Sequence, residues 1–395
     1  MFGSKVKPRS SARVPVRRSA VCFCIAFPAG GAILKTVAFD SLGRFDSQVA
    51  RVFKYAARAA WRNPKQALFF ARIKAAQKRA AETRDRQREH GVQVPPLVIA
   101  SITRRCNLNC RGCYARARRR SVSPELTDAQ WSNLFAQAKE LGVSIIMLAG
   151  GEPLMRPSIL DVTRTFPGIV FPLFTNGLLL DDGTIARFKD QPQVIPVVSI
   201  EGWEPETDNR RGSGVFESVA ASAEKLRTAG IFFGVSLTVT RRNFEAITAE
   251  GLVQALIGNG CSLFVFVEYT PAEPGTEDLC LLPAQRRRLV EFSEGLQRES
   301  RPVFIVFPGD EEQFGGCLAA GRGFVHIGPD GSLEPCPFAP FSDSSVAERP
   351  LADALKSHLL QAIRDNHAEL KETRGGCALW RRREWVESLT SRREG

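Results

Sequence analysis

The sequence predicts an α/β fold: an open, partial (β/α)6 barrel of parallel strands, with a helical extension before it and a small cysteine-containing domain behind it. Three observations predict it. From residue 96 onwards short β-branched apolar runs alternate with stretches of helical period. The runs are nearly continuously apolar, as in strands buried on both faces. They number six, short of the eight that close a full barrel.

In order along the chain, residues 1–47 show no sustained period and read as a tail. Its apolar run Val21–Leu34 holds Pro28, Gly30 and Gly31 and falls short of the roughly 20 residues a bilayer span needs. Arg17 and Arg18 before it lend it a signal-peptide look, but an extended or mis-assigned start is the expectation. Residues 48–95 form a basic helical extension. Val49, Val52, Phe53, Ala56 and Ala60 make an apolar stripe on a first helix. Asn63 and Pro64 read as the N-cap and first residue of a second, highly charged from Lys78 to His90. The extension is expected to pack on the main domain, with peripheral membrane contact by residues 48–89 as the alternative.

Residues 96–283 make the barrel. Its strands are Leu97–Thr103, Ser144–Ala149, Ile169–Thr175, Val194–Ile200, Phe232–Val239 and Leu263–Tyr269. Thr127-Asp128-Ala129-Gln130 is a capping box opening a helix with Trp131, Leu134, Phe135, Ala138 and Leu141 on one face and Gly142 after its end. Phe216, Val219, Ala223 and Leu226 form a similar stripe. Functional residues in such folds lie where strands end. Residues 284–395 begin with a helix near Ala284–Glu299 and a strand Val303–Phe307, then a Cys- and Gly-rich segment, and close with helices near Leu351–Leu370 and Trp380–Leu389. Pro329-Asp330-Gly331 is a turn signal between Phe324–Ile327 and Ser332–Glu334; a hairpin there brings Cys317 and Cys336 to one end. Cys377 follows Gly375-Gly376.

The net charge of +12 is uneven: residues 1–120 carry 27 Lys and Arg against five Asp and Glu. A solvated basic face explains this as well as an acidic partner does. Basic and aromatic residues are not interleaved and no RNA-binding motif is present, so nucleic acid is not expected as partner. The four histidines are scattered and receive no role.

Three of the ten cysteines, in Cys106-Asn-Leu-Asn-Cys110-Arg-Gly-Cys113-Tyr114, fall within eight residues just after the first strand. This favours a metal or cluster site in a reducing compartment over disulfides. Three thiolates on a tight loop reach one cubane and leave one iron open, whereas a zinc knuckle wants four ligands.

On these residues the chain resembles the radical S-adenosylmethionine (SAM) superfamily, whose signature is this spacing on the first strand-to-helix loop of a partial barrel. The resemblance implies a [4Fe–4S] cluster on Cys106, Cys110 and Cys113 that binds SAM and cleaves it reductively to a 5′-deoxyadenosyl radical, which abstracts hydrogen from substrate. Gly150-Gly151-Glu152-Pro153 looks like the family motif that meets the SAM amino group: glycines allow close backbone approach and Glu152 accepts from an ammonium. Asn176, Ser199 and Glu201 resemble the polar positions near the SAM ribose and carboxylate, although Asn-Gly and Glu-Gly are also turn chemistry. Arg211 resembles the family arginine near that carboxylate, with a solvated basic loop as the alternative. One departure stands out: the residue before the third cysteine, often aromatic in the family, is Gly112, with Tyr114 just after it.

Cys317-x13-Gly331-x4-Cys336 resembles the first half of the SPASM extension of this superfamily. With Cys377 it implies at most one auxiliary [4Fe–4S] cluster, whose fourth ligand is Cys280, Cys261, a non-cysteine residue or substrate. The resemblance further implies an electron donor such as flavodoxin or ferredoxin, a cytoplasmic location, and a peptide or protein substrate, with tetrapyrroles and other small molecules open. Two readings compete. A non-catalytic iron–sulfur electron-transfer or redox-sensing protein would hold a cluster without SAM. A nucleic-acid-modifying radical enzyme would bind with steep salt dependence.

Overall fold

A computed structural model describes residues 49–57, 64–117, 123–272, 275–307, 316–370 and 377–390. The tail 1–47, with Cys22, Cys24 and the run Val21–Leu34, lies outside them, as do Ala60, Asn63 and Gly375-Gly376.

One sheet of nine strands organises the chain: β1 (Leu97–Thr103), β2 (Ile145–Gly150), β3 (Phe171–Thr175), β4 (Val194–Ile200), β5 (Gly234–Val239), β6 (Leu263–Glu268), β7 (Val303–Phe307), β8 (Phe324–Ile327) and β9 (Leu333–Glu334). Their order is β7-β6-β5-β4-β3-β2-β1-β8-β9, and every pair is parallel except the β8–β9 hairpin. The six expected barrel strands are present. β3 starts two residues later than its apolar run because Val170 makes only a lone bridge to Ile145.

The C-terminal strands join this sheet rather than forming a layer of their own. β7 extends it beyond β6, and β8 pairs with β1 on the opposite edge. The rings of Phe307 and Phe324 then meet across the two edges, 5.2 Å apart and inclined. Eight parallel strands thus curl round, and the last joint is closed by aromatic contact.

Helices cover the outside: α3 (Tyr114–Ala117) and α4 (Asp128–Leu141) follow β1, α5 (Ile159–Arg164) follows β2, α6 (Asp182–Asp190) β3, α7 (Glu204–Arg211) and α8 (Val215–Thr228) β4, α9 (Phe244–Thr248) and α10 (Glu250–Gly258) β5, and α11 (Pro283–Glu299) β6. The capping box of α4 is formed, with Gln130 N donating to the Thr127 hydroxyl and Thr127 N to the Gln130 side chain, and Gly142 caps its end in left-handed conformation. The stripe read from the sequence is the face that α4 buries.

The N-terminal extension folds beneath the barrel. Phe53 and Ala56 of α1 (residues 49–57), with Phe69, Phe70 and Ile73 of α2 (Pro64–Glu89), pack on Ile195, Phe232, Leu263 and Val303 at the strands' N-terminal ends. The apolar stripe is therefore used on the barrel floor. No helix among the described residues is long and apolar enough to cross a membrane. Towards the C-terminus the single helix expected over Leu351–Leu370 is broken into α12 (Leu351–Ala354) and α13 (His358–Asp365). Ser357 is the reason: its hydroxyl accepts from Leu360 N (3.3 Å) and starts a new helix. α14 (Ala378–Arg381) and α15 (Arg383–Thr390) follow.

Candidate active site

The thiol loop leaves β1 at the C-terminal rim of the barrel, where Glu125 fixes its start by accepting from Arg104 N (2.7 Å) and the Thr103 hydroxyl (3.1 Å). Cys106, Cys110 and Cys113 are half-buried and line one cavity of about 400 Å³, within the usual range for small-molecule sites. Each stretch of the loop is held by a different element. Asn176, just after β3, donates to Asn107 Oδ1 (2.7 Å) and its Nδ2 lies 3.9 Å from Cys106 Sγ. Arg111 N donates to the carbonyl of Arg210 in α7 (3.0 Å). The Tyr114 ring meets Phe338 edge-on, centroids 5.6 Å apart. Gly151, after β2, passes so close beneath the loop that a Cβ there would lie 2.0 Å from the Arg105 carbonyl oxygen, which only glycine permits. Burial pushes the Cys110 thiol above its ordinary value, while the Arg211 and Arg210 guanidinium groups pull it back. The net direction favours the thiol in the metal-free chain, and the two arginines lessen the cost of forming the thiolate that a metal would require.

Glu152 is almost fully buried and braces the ends of β2 and β3. Its Oε1 accepts from the Thr175 hydroxyl (2.8 Å) and Leu154 N (3.0 Å), and its Oε2 from Asn176 N (2.7 Å). Three of its roughly four acceptor directions are used inside the protein. Burial nevertheless holds its carboxyl above the usual carboxylate range, against these hydrogen bonds. Ser199 at the end of β4 shares a 3.0 Å hydrogen bond with Ser236 of β5. Glu201, fully buried, takes Arg210 Nη1 and Arg211 Nε on its Oε1. Its Oε2 has no hydrogen-bond partner among the described residues.

Most of the residues singled out in the sequence therefore converge. The three thiols, Tyr114, Gly150, Gly151, Glu152, Asn176, Ser199 and Arg211 line the cavity. Two do not. Pro153 turns away into a short 3-10 turn, Pro153–Met155. Glu201 stands behind its arginines, beside an adjoining polar pocket of about 290 Å³. The sequence reading put its weight on Arg211 rather than on the adjacent Arg210, which shares Glu201 with it and also lines the cavity, and it missed Thr270. The Thr270 hydroxyl is buried beside the cavity without a partner among the described residues.

A second group of thiols, Cys317, Cys336 and Cys377, is wholly buried. They come together from three separate segments. The Cys336 thiol is pushed well up, by burial first and then by its hydrogen bond to Cys377 and the nearness of Cys377 and Cys317. Leu318, Pro337 and Phe338, next to two of these cysteines, line the main cavity, so the trio flanks it. Cys261 and Cys280 stand apart. Burial alone pushes Cys261 up to about 12, and Cys280 is raised by burial and by Glu268 and Glu277, not by the trio.

The hairpin that delivers Cys336 is bolted to β1 by residues the sequence did not mark. His326, fully buried, bonds Glu334 Oε2 through Nδ1 and the Ser101 hydroxyl through Nε2, both at 2.7 Å. Arg104 pairs with Asp330 at the hairpin turn (2.7 Å).

Each set brings three cysteine thiols together, the donor type that an iron–sulfur cubane takes. Neither closes into a single-ion cage among the described residues. A cubane spreads its thiolates over separate irons, so three thiols that do not close on one ion remain compatible with it. The glycine cradle and the unpartnered Thr270 hydroxyl leave room and a polar contact for a ligand beside the first set.

The radical SAM superfamily profile matches residues 100–247. An AdoMet-dependent heme synthase of Oleidesulfovibrio alaskensis is 32% identical over 326 residues, 73% of this chain and 84% of the relative. One of Methanosarcina barkeri is 28% identical over 315 residues, 72% of this chain and 88% of the relative. A PqqA peptide cyclase of Ruegeria pomeroyi is 26% identical over 63% of this chain and 69% of its own. Among solved structures, Streptococcus suis SuiB bound to the precursor peptide SuiA has the same fold, with a TM-score of 0.60 at 19% identity over 76% of each chain.

Proposed function

The chain belongs to the radical SAM superfamily, and we propose that Cys106, Cys110 and Cys113 are the thiolates that hold its SAM-binding [4Fe–4S] cluster. When bound, the cluster would supply the electron that breaks the S–C5′ bond of SAM, giving methionine and the 5′-deoxyadenosyl radical that takes a hydrogen atom from substrate. The observation that supports the assignment is the convergence of the three thiols with Gly150, Gly151, Asn176 and Ser199 on one cavity. Asn176 and Arg210 hold the loop, Glu152 keeps the β2 and β3 ends at a fixed separation, and the Glu201 carboxylate aims Arg211 into the cavity. From there Arg211 would meet the carboxylate of SAM, and the apolar barrel wall would keep water from the reacting atoms. Cys317, Cys336 and Cys377 hold one auxiliary [4Fe–4S] cluster beside the same cavity, an assignment supported by their shared burial and the Cys336–Cys377 contact.

For substrate, a tetrapyrrole comes first. Heme synthases align with this chain over the larger share of their length, and the cavity wall is mainly apolar, with Ile99, Met147, Phe174, Val197 and Phe232 among its residues. A peptide is the second reading, supported by the likeness to the PqqA peptide cyclase. A flavodoxin or ferredoxin supplies the electron, and the chain works in the reducing cytoplasm, where its buried thiols stay reduced.

The test is 5′-deoxyadenosine release by anaerobically reconstituted, reduced protein, beside the Cys106→Ala/Cys110→Ala/Cys113→Ala variant. Release by the wild type alone supports the assignment. A protein that carries iron and sulfide but releases none, with coproporphyrin III or a peptide present, would refute it. Stimulation by one of these additions and not the other decides the substrate class.

A further inference from the structure

Gly112 lies between the second and third thiols of the loop, with φ +66. A Cβ at this position would stand 2.5 Å from the hydroxyl of Tyr269 and 3.1 Å from its Cε2 and Cζ. Tyr269 directly follows β6, across the barrel mouth from the start of the loop. It is 2% exposed, and it lines the cavity with the three thiols. Its amide donates to the Val239 carbonyl at the end of β5 (3.0 Å), so its backbone is anchored to the sheet and the ring has a fixed base. The loop is also tied to α7 through Arg111 N and the Arg210 carbonyl (3.0 Å). The stretch Cys110–Cys113 is thus gripped between a backbone hydrogen bond and an aromatic ring.

Taking the proposed cluster ligation as its basis, we infer that Tyr269 is a positioning residue for the thiol loop. Its ring occupies the space that Gly112 leaves open and sets the placement of Cys110 and Cys113 at which the cluster is held. The two residues work as an interlock: the ring requires glycine at 112, and the loop conformation requires the ring. Groups that orient metal ligands in this way typically cost 10- to 100-fold in metal affinity when removed.

Four variants test this in the full chain, reconstituted anaerobically. Gly112→Asn tolerates left-handed backbone, so it probes the contact with Tyr269 and not the backbone. Tyr269→Ala removes the ring, Tyr269→Phe keeps it, and Gly112→Asn/Tyr269→Ala restores space for a side chain at 112. The readout is the electron paramagnetic resonance signal of the reduced protein that changes on adding SAM, which reports the barrel site apart from the C-terminal thiols. Iron and sulfide per chain are measured alongside. Tyr269→Phe is expected to retain the signal. Tyr269→Ala should lose it by about tenfold in SAM-responsive cluster, Gly112→Asn should lose more because the side chain clashes with the ring, and the double variant should recover to the level of Tyr269→Ala. A normal signal in Gly112→Asn, or a double variant no better than Gly112→Asn, overturns the interlock. Should Gly112→Asn fail to fold, the Tyr269 pair decides: full signal in Tyr269→Ala overturns the proposal, and loss there with retention in Tyr269→Phe supports it. A wild-type chain that loads iron but shows no SAM-responsive signal would instead sink the ligation reading.

Discussion

Replacing Glu152 with glutamine separates bracing from ligand binding at the motif after β2. The carboxylate is about 1% exposed and accepts three hydrogen bonds, two on one oxygen and one on the other. Glutamine keeps the shape but only one acceptor oxygen. If that oxygen serves Thr175 and Leu154, the new amide points its N–H at Asn176 N, donor against donor. Two buried donors then lack acceptors, at about 1–3 kcal/mol each. Removing a charge that burial disfavours offsets part of this, and a net loss of about 2 kcal/mol at neutral pH is expected. The pH dependence has a definite sign. Burial raises the Glu152 carboxyl above its ordinary 4.5, so the folded chain binds this proton more tightly than the unfolded one. The group's contribution to stability is therefore largest at acid pH and declines as pH rises from the ordinary value through the raised one. Glutamine has no such slope, so the gap between the two proteins should narrow towards neutral pH. Urea unfolding of metal-free protein across that range measures the gap, and SAM binding is measured after reconstitution. A Glu152→Gln variant within about 0.5 kcal/mol of wild type that no longer binds SAM would refute the brace and make the carboxylate a direct ligand contact.

Three further outcomes are expected. His326→Leu leaves the Glu334 carboxylate buried without its imidazole, a loss of about 3–5 kcal/mol in urea unfolding of the metal-free chain; a loss under about 1 kcal/mol would mean that the hairpin is held by other contacts. Thr270→Val removes a buried hydroxyl that has no partner among the described residues, so the metal-free protein should melt no lower than wild type, and a clear drop in its melting temperature would show that the hydroxyl is already bonded. Cys261, pushed up to about 12 by burial, should escape alkylation by iodoacetamide near pH 8 in the native protein while remaining modifiable after unfolding; labelling in the native state, read by peptide mass spectrometry, would contradict its burial.

The barrel was legible because its signals are local. Apolar runs such as Val194–Ile200 are long and bounded by turns, and the observed β4 has those bounds. The capping box at Thr127 and the turn at Pro329-Asp330-Gly331 act over four or five residues, and both formed. The cysteine spacing was legible for the same reason. What the sequence withheld depends on contacts between distant segments. Nothing in Phe324-Val-His-Ile announces that it lies parallel to β1, some 225 positions away, or that His326 finds Ser101 there. Thr270 gave no signal either, since its lack of a partner is a property of its surroundings. Gly112 did give one, as a departure from the usual aromatic, but its cause lay at Tyr269, beyond any local pattern.

The eight parallel strands are laced by seven hydrogen-bonded ladders, and the eighth joint, between β7 and β8, rests on Phe307 and Phe324. Parting most of the other pairs breaks a ladder of four or more paired residues, and β2–β3 is the short one, with Leu148↔Leu173 and the bridge Ile145↔Val170. Among the described residues, no strand pairing joins β7 to β8, and the contact between the two is the Phe307–Phe324 ring pair, about 0.5–1.5 kcal/mol. The wall of the cavity therefore has a preferred line along which it yields, and that line runs beside the residues that border the C-terminal thiols.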